Sequence, residues 1–145
     1  MQKRSLTFHM SQALAQGALV ALLVVGLVAG TAFAAKGGNG NGGSLALVMV
    51  EDANANGLPN YTETVTFDVS STADKPYVNV RCYQGTAFVY DAWAGYYEGA
   101  WFGQTFTLSS NSWTSGAADC TARLVTWSRN GRERTLATMG FVVDA

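Results

Sequence analysis

The chain has 145 residues, with nine basic and ten acidic side chains, one histidine and two cysteines. Its basic residues are scattered rather than clustered, so there is no electrostatic footprint for nucleic acid and none is expected as a partner. The only histidine, His9, lies near the N-terminus; the rest of the chain can build neither a Ser-His or Cys-His nucleophile pair nor a histidine zinc site.

The first informative segment is residues 18–34, ALVALLVVGLVAGTAFA, which carries no charge. Lys3 and Arg4 precede it, and Ala32-Phe33-Ala34 supplies the small-x-small pattern that a signal peptidase accepts. This is the layout of a secretory leader, and residues 1–34 are expected to be cut away after Ala34. The run also approaches the roughly 20 apolar residues of a spanning helix, so a leader left uncut would anchor the domain; a membrane is a partner only in that case. Residues 35–43, beginning Ala35-Lys36 and continuing GGNGNGG, read as a flexible Gly/Asn-rich tether. Residues 44–145 then form one domain, secreted or at the extracellular surface, large enough for a single core. Beyond residue 34 there are seven basic and ten acidic residues, a formal charge of −3.

From Ser44 onward the apolar period is two. Residues 45–50 form an apolar run and a first strand. Residues 64–70 alternate, with Val65, Phe67 and Val69 on one face. Residues 77–83 alternate with Val78, Val80 and Cys82 inward, and Gln84-Gly85 turns the chain into residues 87–90. Residues 104–109 place Phe106 and Leu108 inward, and residues 119–127 do the same for Cys120, Ala122 and Leu124. Asn130-Gly131 is a hairpin signal, and residues 136–143 close the set. About seven short strands without a helical pattern predict an all-β antiparallel sandwich.

Cys82 and Cys120 both face inward by this parity. In an oxidising compartment they form the one intrachain bridge available, a structural staple with no redox role. The stretch Ser115-Gly-Ala-Ala-Asp-Cys-Thr-Ala122 resembles the cysteine-bearing strand of immunoglobulin-like and fibronectin-like extracellular domains, where small residues lead into x-Cys-x-Ala on the penultimate strand. Two positions depart from the antibody pattern: Ala118 stands where a corner tyrosine would be, and the partner cysteine is on the third strand. The resemblance implies an immunoglobulin-like sandwich whose third and sixth strands are neighbours, so that the disulfide joins adjacent strands.

Three groups of residues are candidates for function. Asp52, Asn54, Asn56, Gly57 and Glu63 fit the calcium-loop spacing D-x-[DN]-x-[DN]-G-x5-E, with Leu58 offering a carbonyl. No cofactor is required; calcium is the one this loop admits, at a weak affinity of about 10⁻⁴ to 10⁻³ M. The competing reading is an ordinary long turn, and Asn60-Tyr61-Thr62 overlaps it as a glycosylation sequon. The second group is the segment from Tyr90 to Phe106, where Trp93, Tyr96, Tyr97 and Trp101 stand among glycines and read as an aromatic loop or ragged edge strand, the competing reading being that half of these rings cap the core. The third follows from parity: Tyr77, Asn79, Arg81 and Tyr83 face outward from the third strand, and Thr121, Arg123, Val125 and Trp127 from the sixth. If those strands are neighbours, two arginines and three aromatics share one face, as either an ordinary cross-strand ladder or an adhesion surface.

The expectation is a non-catalytic recognition module. Its partner would be an extracellular protein, by adhesion, or a glycan stacked on the aromatic segment; a third reading is a structural subunit of an envelope or appendage. A carboxylate-pair glycosidase is formally open, but a domain this small offers little room for a sugar-holding cleft, so no enzyme is expected.

Overall fold

A computed structural model describes residues 42–101 and 103–145. The leader and residues 35–41 of the tether lie outside the described residues. Seven strands follow in chain order: β1 (Gly43–Glu51), β2 (Thr64–Ser71), β3 (Tyr77–Gln84), β4 (Ala87–Gly95), β5 (Phe106–Thr107), β6 (Ala118–Trp127) and β7 (Glu133–Val143). They form two antiparallel sheets, β1-β2-β5 and β4-β3-β6-β7. Alternating apolar residues dictate this arrangement, because each sheet has one greasy face to hide and the other sheet is the only surface large enough to hide it.

The core lies between the sheets. Leu45, Leu47, Val65 and Phe67 come from β1 and β2, and Val78, Val80, Ala122 and Leu124 from β3 and β6; all are buried. Phe67 joins the layers, packing edge-on against Phe106 of its own sheet at 5.5 Å and against Phe141 of β7 at 6.2 Å. One end is plugged by Trp113, from the β5–β6 connection. Its ring packs near Tyr61 and Tyr90, and its indole N–H donates to the Gly116 carbonyl at 3.0 Å. A fully buried Trp needs such a partner for its one polar atom.

Two strands differ from their sequence-based bounds. The fifth was expected over residues 104–109 but pairs only at Phe106–Thr107. The Gln104 carbonyl accepts hydrogen bonds from the hydroxyls of Thr66 and Tyr96, so side chains hold this stretch instead of a ladder. The fourth was expected to end at Tyr90 but runs to Gly95, turning the first six residues of the aromatic segment into strand. A bulge shifts its register between Cys82 and Tyr83: Cys82 opposes Tyr90, while Tyr83 opposes Phe88. The extra residue lets Val89 and Tyr90 both enter the core and returns Phe88 to the outer face. The Asn-Gly hairpin is a three-residue loop: Gly131 N–H donates to Ser128 O, Ser128 N–H donates to Arg132 O, and only Gly131 takes the left-handed conformation, at φ 75°.

Cys82 and Cys120 are directly opposite in the β3–β6 ladder, 4.1 Å apart at Cα, buried and bonded to each other. The bridge therefore ties neighbouring strands of one sheet and fixes their register. It spans a sequence separation of 38, for which chain entropy alone allows roughly 4 kcal/mol. Urea denaturation with and without reductant should show unfolding free energy falling by about 2–4 kcal/mol when the bridge opens, and the Cys82→Ala/Cys120→Ala double variant should match the reduced protein.

Candidate functional site

The β3–β6 register brings the outward residues of both strands together: Tyr77 opposes Val125, Asn79 opposes Arg123, Arg81 opposes Thr121 and Tyr83 opposes Asp119. On the other side of β3, Asn79 opposes Trp93 and Arg81 opposes Asp91. The outer face of the four-stranded sheet therefore collects residues from the aromatic segment and from the parity-derived face into one site.

Its upper layer is aromatic. The Trp93 and Trp127 rings lie 5.7 Å apart at 36°. Tyr77 meets Trp127 edge-on at 5.0 Å and Tyr97 at 5.3 Å, and the Tyr77 and Tyr97 hydroxyls hydrogen-bond at 2.7 Å. The Lys75 amine lies 5.9 Å from the Tyr97 ring centre. Trp93 and Trp127 keep 38% and 42% of their surface exposed, so both are held by neighbours and still present surface to solvent. Val125, also on this face, is fully buried although it does not belong to the core between the sheets. The aromatic layer is thus a small second apolar cluster on the outside of the sandwich.

Beside it lies a polar network centred on Asn79, which is fully buried. Its amide N–H₂ donates to Asp91 Oδ1 at 2.6 Å and to the Ala92 carbonyl at 3.1 Å, and its Oδ1 accepts from Arg123 at 3.0 Å. Arg123 also pairs with Glu133 at 2.9 Å, and Arg81 approaches Asp91 at 3.6 Å. The Arg81 Nε–H is buried and without a hydrogen bond. Exposed ion pairs of this kind contribute little to stability, at most about 1 kcal/mol; here they fix where the guanidinium and carboxylate planes sit.

Other sequence candidates lie elsewhere. Tyr96 turns away from this face: its hydroxyl accepts from Phe67 N–H at 3.1 Å and bonds Thr66 and Gln104, stitching the 96–105 connection to β2. Trp101 is 95% exposed on that connection. In the Asp52–Glu63 loop, the Asp52 carboxylate accepts from Asn56 N–H at 3.1 Å and Gly57 N–H at 2.8 Å, and Gly57 takes φ 73°. The buried Glu63 carboxylate accepts from Ala53 N–H at 2.8 Å and Asn60 N–H at 3.0 Å. Asn54 and Asn56 donate to Asn60 Oδ1, and Asn56 Oδ1 accepts from Leu58 N–H at 2.7 Å. These oxygens organise the loop itself, and among the described residues no group of three or more His, Cys, Asp or Glu side chains could hold a metal ion. Asn60 is itself buried, so the sequon faces little solvent in the folded domain.

Sequence reasoning missed two members of the outer face. Phe88 arrives there through the β4 bulge, which alternation alone does not announce. Asp91 becomes an Arg81 partner only once β4 is known to extend past Tyr90. Comparison with protein-family models, curated proteins and solved structures finds no match for this chain.

Two outcomes follow from the network and the rings. Asn79→Ala should lower unfolding free energy by about 1–3 kcal/mol, since it strips the buried link between Asp91 and Arg123; denaturant melts of both proteins measure it. Three hydroxyls should ionise late. Burial pushes Tyr90 up to about 12 and raises Tyr96, while the hydrogen bond with Tyr97, followed by burial, raises Tyr77. A folded-state value above the ordinary 10 stabilises the neutral protein fully below pH 10, and that contribution is lost as pH rises through about 12. An ultraviolet tyrosinate titration should show this late group, and Tyr90→Phe should flatten the loss of stability between those pH values.

Proposed function

We propose that this is a secreted, non-catalytic recognition module that binds glycan on the outer face of its four-stranded sheet. The observation that carries the reading is the pair of half-exposed indoles, Trp93 and Trp127, held 5.7 Å apart beside a hydrogen-bonded Asn79–Asp91–Arg123 network. Ring faces stack on the apolar C–H faces of sugars, and ordered amide, guanidinium and carboxylate groups serve sugar hydroxyls. A protein interface of ordinary size buries about 800 Å² per partner around an apolar centre; a patch of four rings bordered by paired charges suits a narrower ligand better. The adjacent-strand disulfide is compatible with an extracellular location, and the sequence-level leader supports secretion.

We read the sandwich as immunoglobulin-like or fibronectin-like. Support comes from strand order: the first, second and fifth strands share one sheet, the third, sixth and seventh the other. Ala118 in the corner position and a bridge within one sheet set it apart from antibody domains. Protein adhesion is the second reading, favoured by Trp101, which stands almost fully exposed as a side chain ready to anchor a partner.

Purified residues 35–145 should be retained on at least one member of a panel of insoluble polysaccharides and cell-wall material, and Trp127→Ala should cut retention by roughly tenfold or more. Running the panel with calcium and again with chelator reports on the Asp52–Glu63 loop. No retention on any glycan would move the function to adhesion or assembly, with Trp101→Ala as the variant to examine next.

A further inference from the structure

The aromatic cluster is one end of a longer feature. Tyr83 and Phe88 stand 40% and 50% exposed on the same outer face, with ring centres 5.2 Å apart. They are cross-strand partners on β3 and β4, as are Asn79 and Trp93. Between these pairs lies the Arg81–Asp91 pair. Along β3 the face therefore reads, in order, Tyr77 with its neighbouring rings, then Asn79 with Trp93, then Arg81 with Asp91, then Tyr83 with Phe88. From Tyr77 to Tyr83 this covers about 20 Å at the usual rise of a strand. Rings stand at both ends, and hydrogen-bonding groups fill the middle.

Each guanidinium within the stripe has a carboxylate or amide seated beside it, and exposed Asp119, opposite Tyr83, adds a further negative charge. Arg81 faces Asp91, and Arg123 is shared between Glu133 and Asn79. A carboxylated or sulfated polymer would have to displace a carboxylate already seated beside each guanidinium. An uncharged one meets fixed donors and acceptors without that competition. Arg129 and Arg132 are exposed in the β6–β7 hairpin just beyond Trp127, and are where an acidic ligand would show its preference.

We infer that the site takes a linear, uncharged polysaccharide lying along β3 and β4, with Trp93 and Trp127 gripping one part of the chain and Tyr83 and Phe88 another. This rests on the glycan reading above and adds chain length, direction and charge to it. It assigns Tyr83 and Phe88 to ligand contact, a role separate from holding the fold.

The test is affinity electrophoresis in native gels containing soluble linear neutral polysaccharides (hydroxyethyl cellulose, glucomannan, xylan) or acidic ones (hyaluronan, heparin, polygalacturonate), at low and high salt. The proteins are wild type, Trp127→Ala, Tyr83→Ala/Phe88→Ala and Arg129→Ala/Arg132→Ala, with thermal melts showing that each is folded. The expected result is retardation by a neutral polymer that salt does not change, weakened roughly tenfold by the Tyr83/Phe88 variant and unaffected by the Arg129/Arg132 variant. Oligosaccharides of the same polymer should then compete, the hexasaccharide against wild type far better than the disaccharide, and the Tyr83/Phe88 variant should lose that length preference. Neutral retardation lost in Trp127→Ala but unchanged in the Tyr83/Phe88 variant overturns the extended site and leaves glycan binding intact. Salt-sensitive retardation by acidic polymers alone overturns the charge assignment. No retardation by any polymer removes the glycan reading, and this inference with it.

Discussion

Both faces of the larger sheet depend on one register, that of β3 against β6. Because side chains alternate across a strand, the pairing that sets Cys82 against Cys120 on the inside also sets Asn79 against Arg123 on the outside. A slip of one residue would carry Val78, Val80 and Cys82 to solvent and bury Arg81. The disulfide forbids that slip covalently. Its contribution is therefore larger than a few kilocalories of chain entropy: it makes the geometry of the outer face a consequence of bonding in the core.

On that fixed grid the outer face is built in two materials. Tyr77 meets Tyr97 and Trp127 edge to face, an arrangement that contributes about 0.5–1.5 kcal/mol per pair beyond burial, and Trp93 lies tilted at 36° against Trp127. Alongside, Asn79 satisfies its amide inside a crowded strand by reaching Asp91, Ala92 and Arg123. A buried polar group placed this way must have all its partners or be costly, so the network is rigid where a solvated surface would be loose. Such rigidity suits recognition, because a ligand does not have to order the groups that receive it.

Much of this was legible in the sequence. Alternation located β2, β3 and β6 and the outward sets on β3 and β6; β1 followed from an apolar run, and the cysteine pairing from there being only two cysteines. What escaped it are places where tertiary contacts override local period. The β4 bulge is invisible to a period-two reading, because Val89 and Tyr90 are consecutive apolar residues in a strand that should alternate. The glycine-rich aromatic segment reads as loop or ragged edge strand, and it is both: β4, an edge strand, carries Trp93 as far as Gly95, and Tyr97 lies on the connection that follows. Tyr96, next to Tyr97 and chemically alike, faces the other way because Phe67 N–H and Thr66 offer its hydroxyl a partner. The Asp52–Glu63 spacing reads as a calcium loop or a long turn; which donors its oxygens meet is a matter of backbone conformation, where Gly57 and Ala55 take left-handed geometry.

The β4 bulge has an effect on shape as well as on parity. An inserted residue increases the local right-handed twist of the strand that carries it, on top of the roughly 20–25° by which neighbouring strands already rotate. It falls between the Trp93 and Phe88 ends of the outer face, so the two sets of rings are turned relative to each other. A surface of that form is a poor match for the planar face of a crystalline fibre, where chains lie flat in parallel rows. On the proposed glycan reading, it would suit a single hydrated chain that coils as it runs, such as those in amorphous or soluble regions of a polymer.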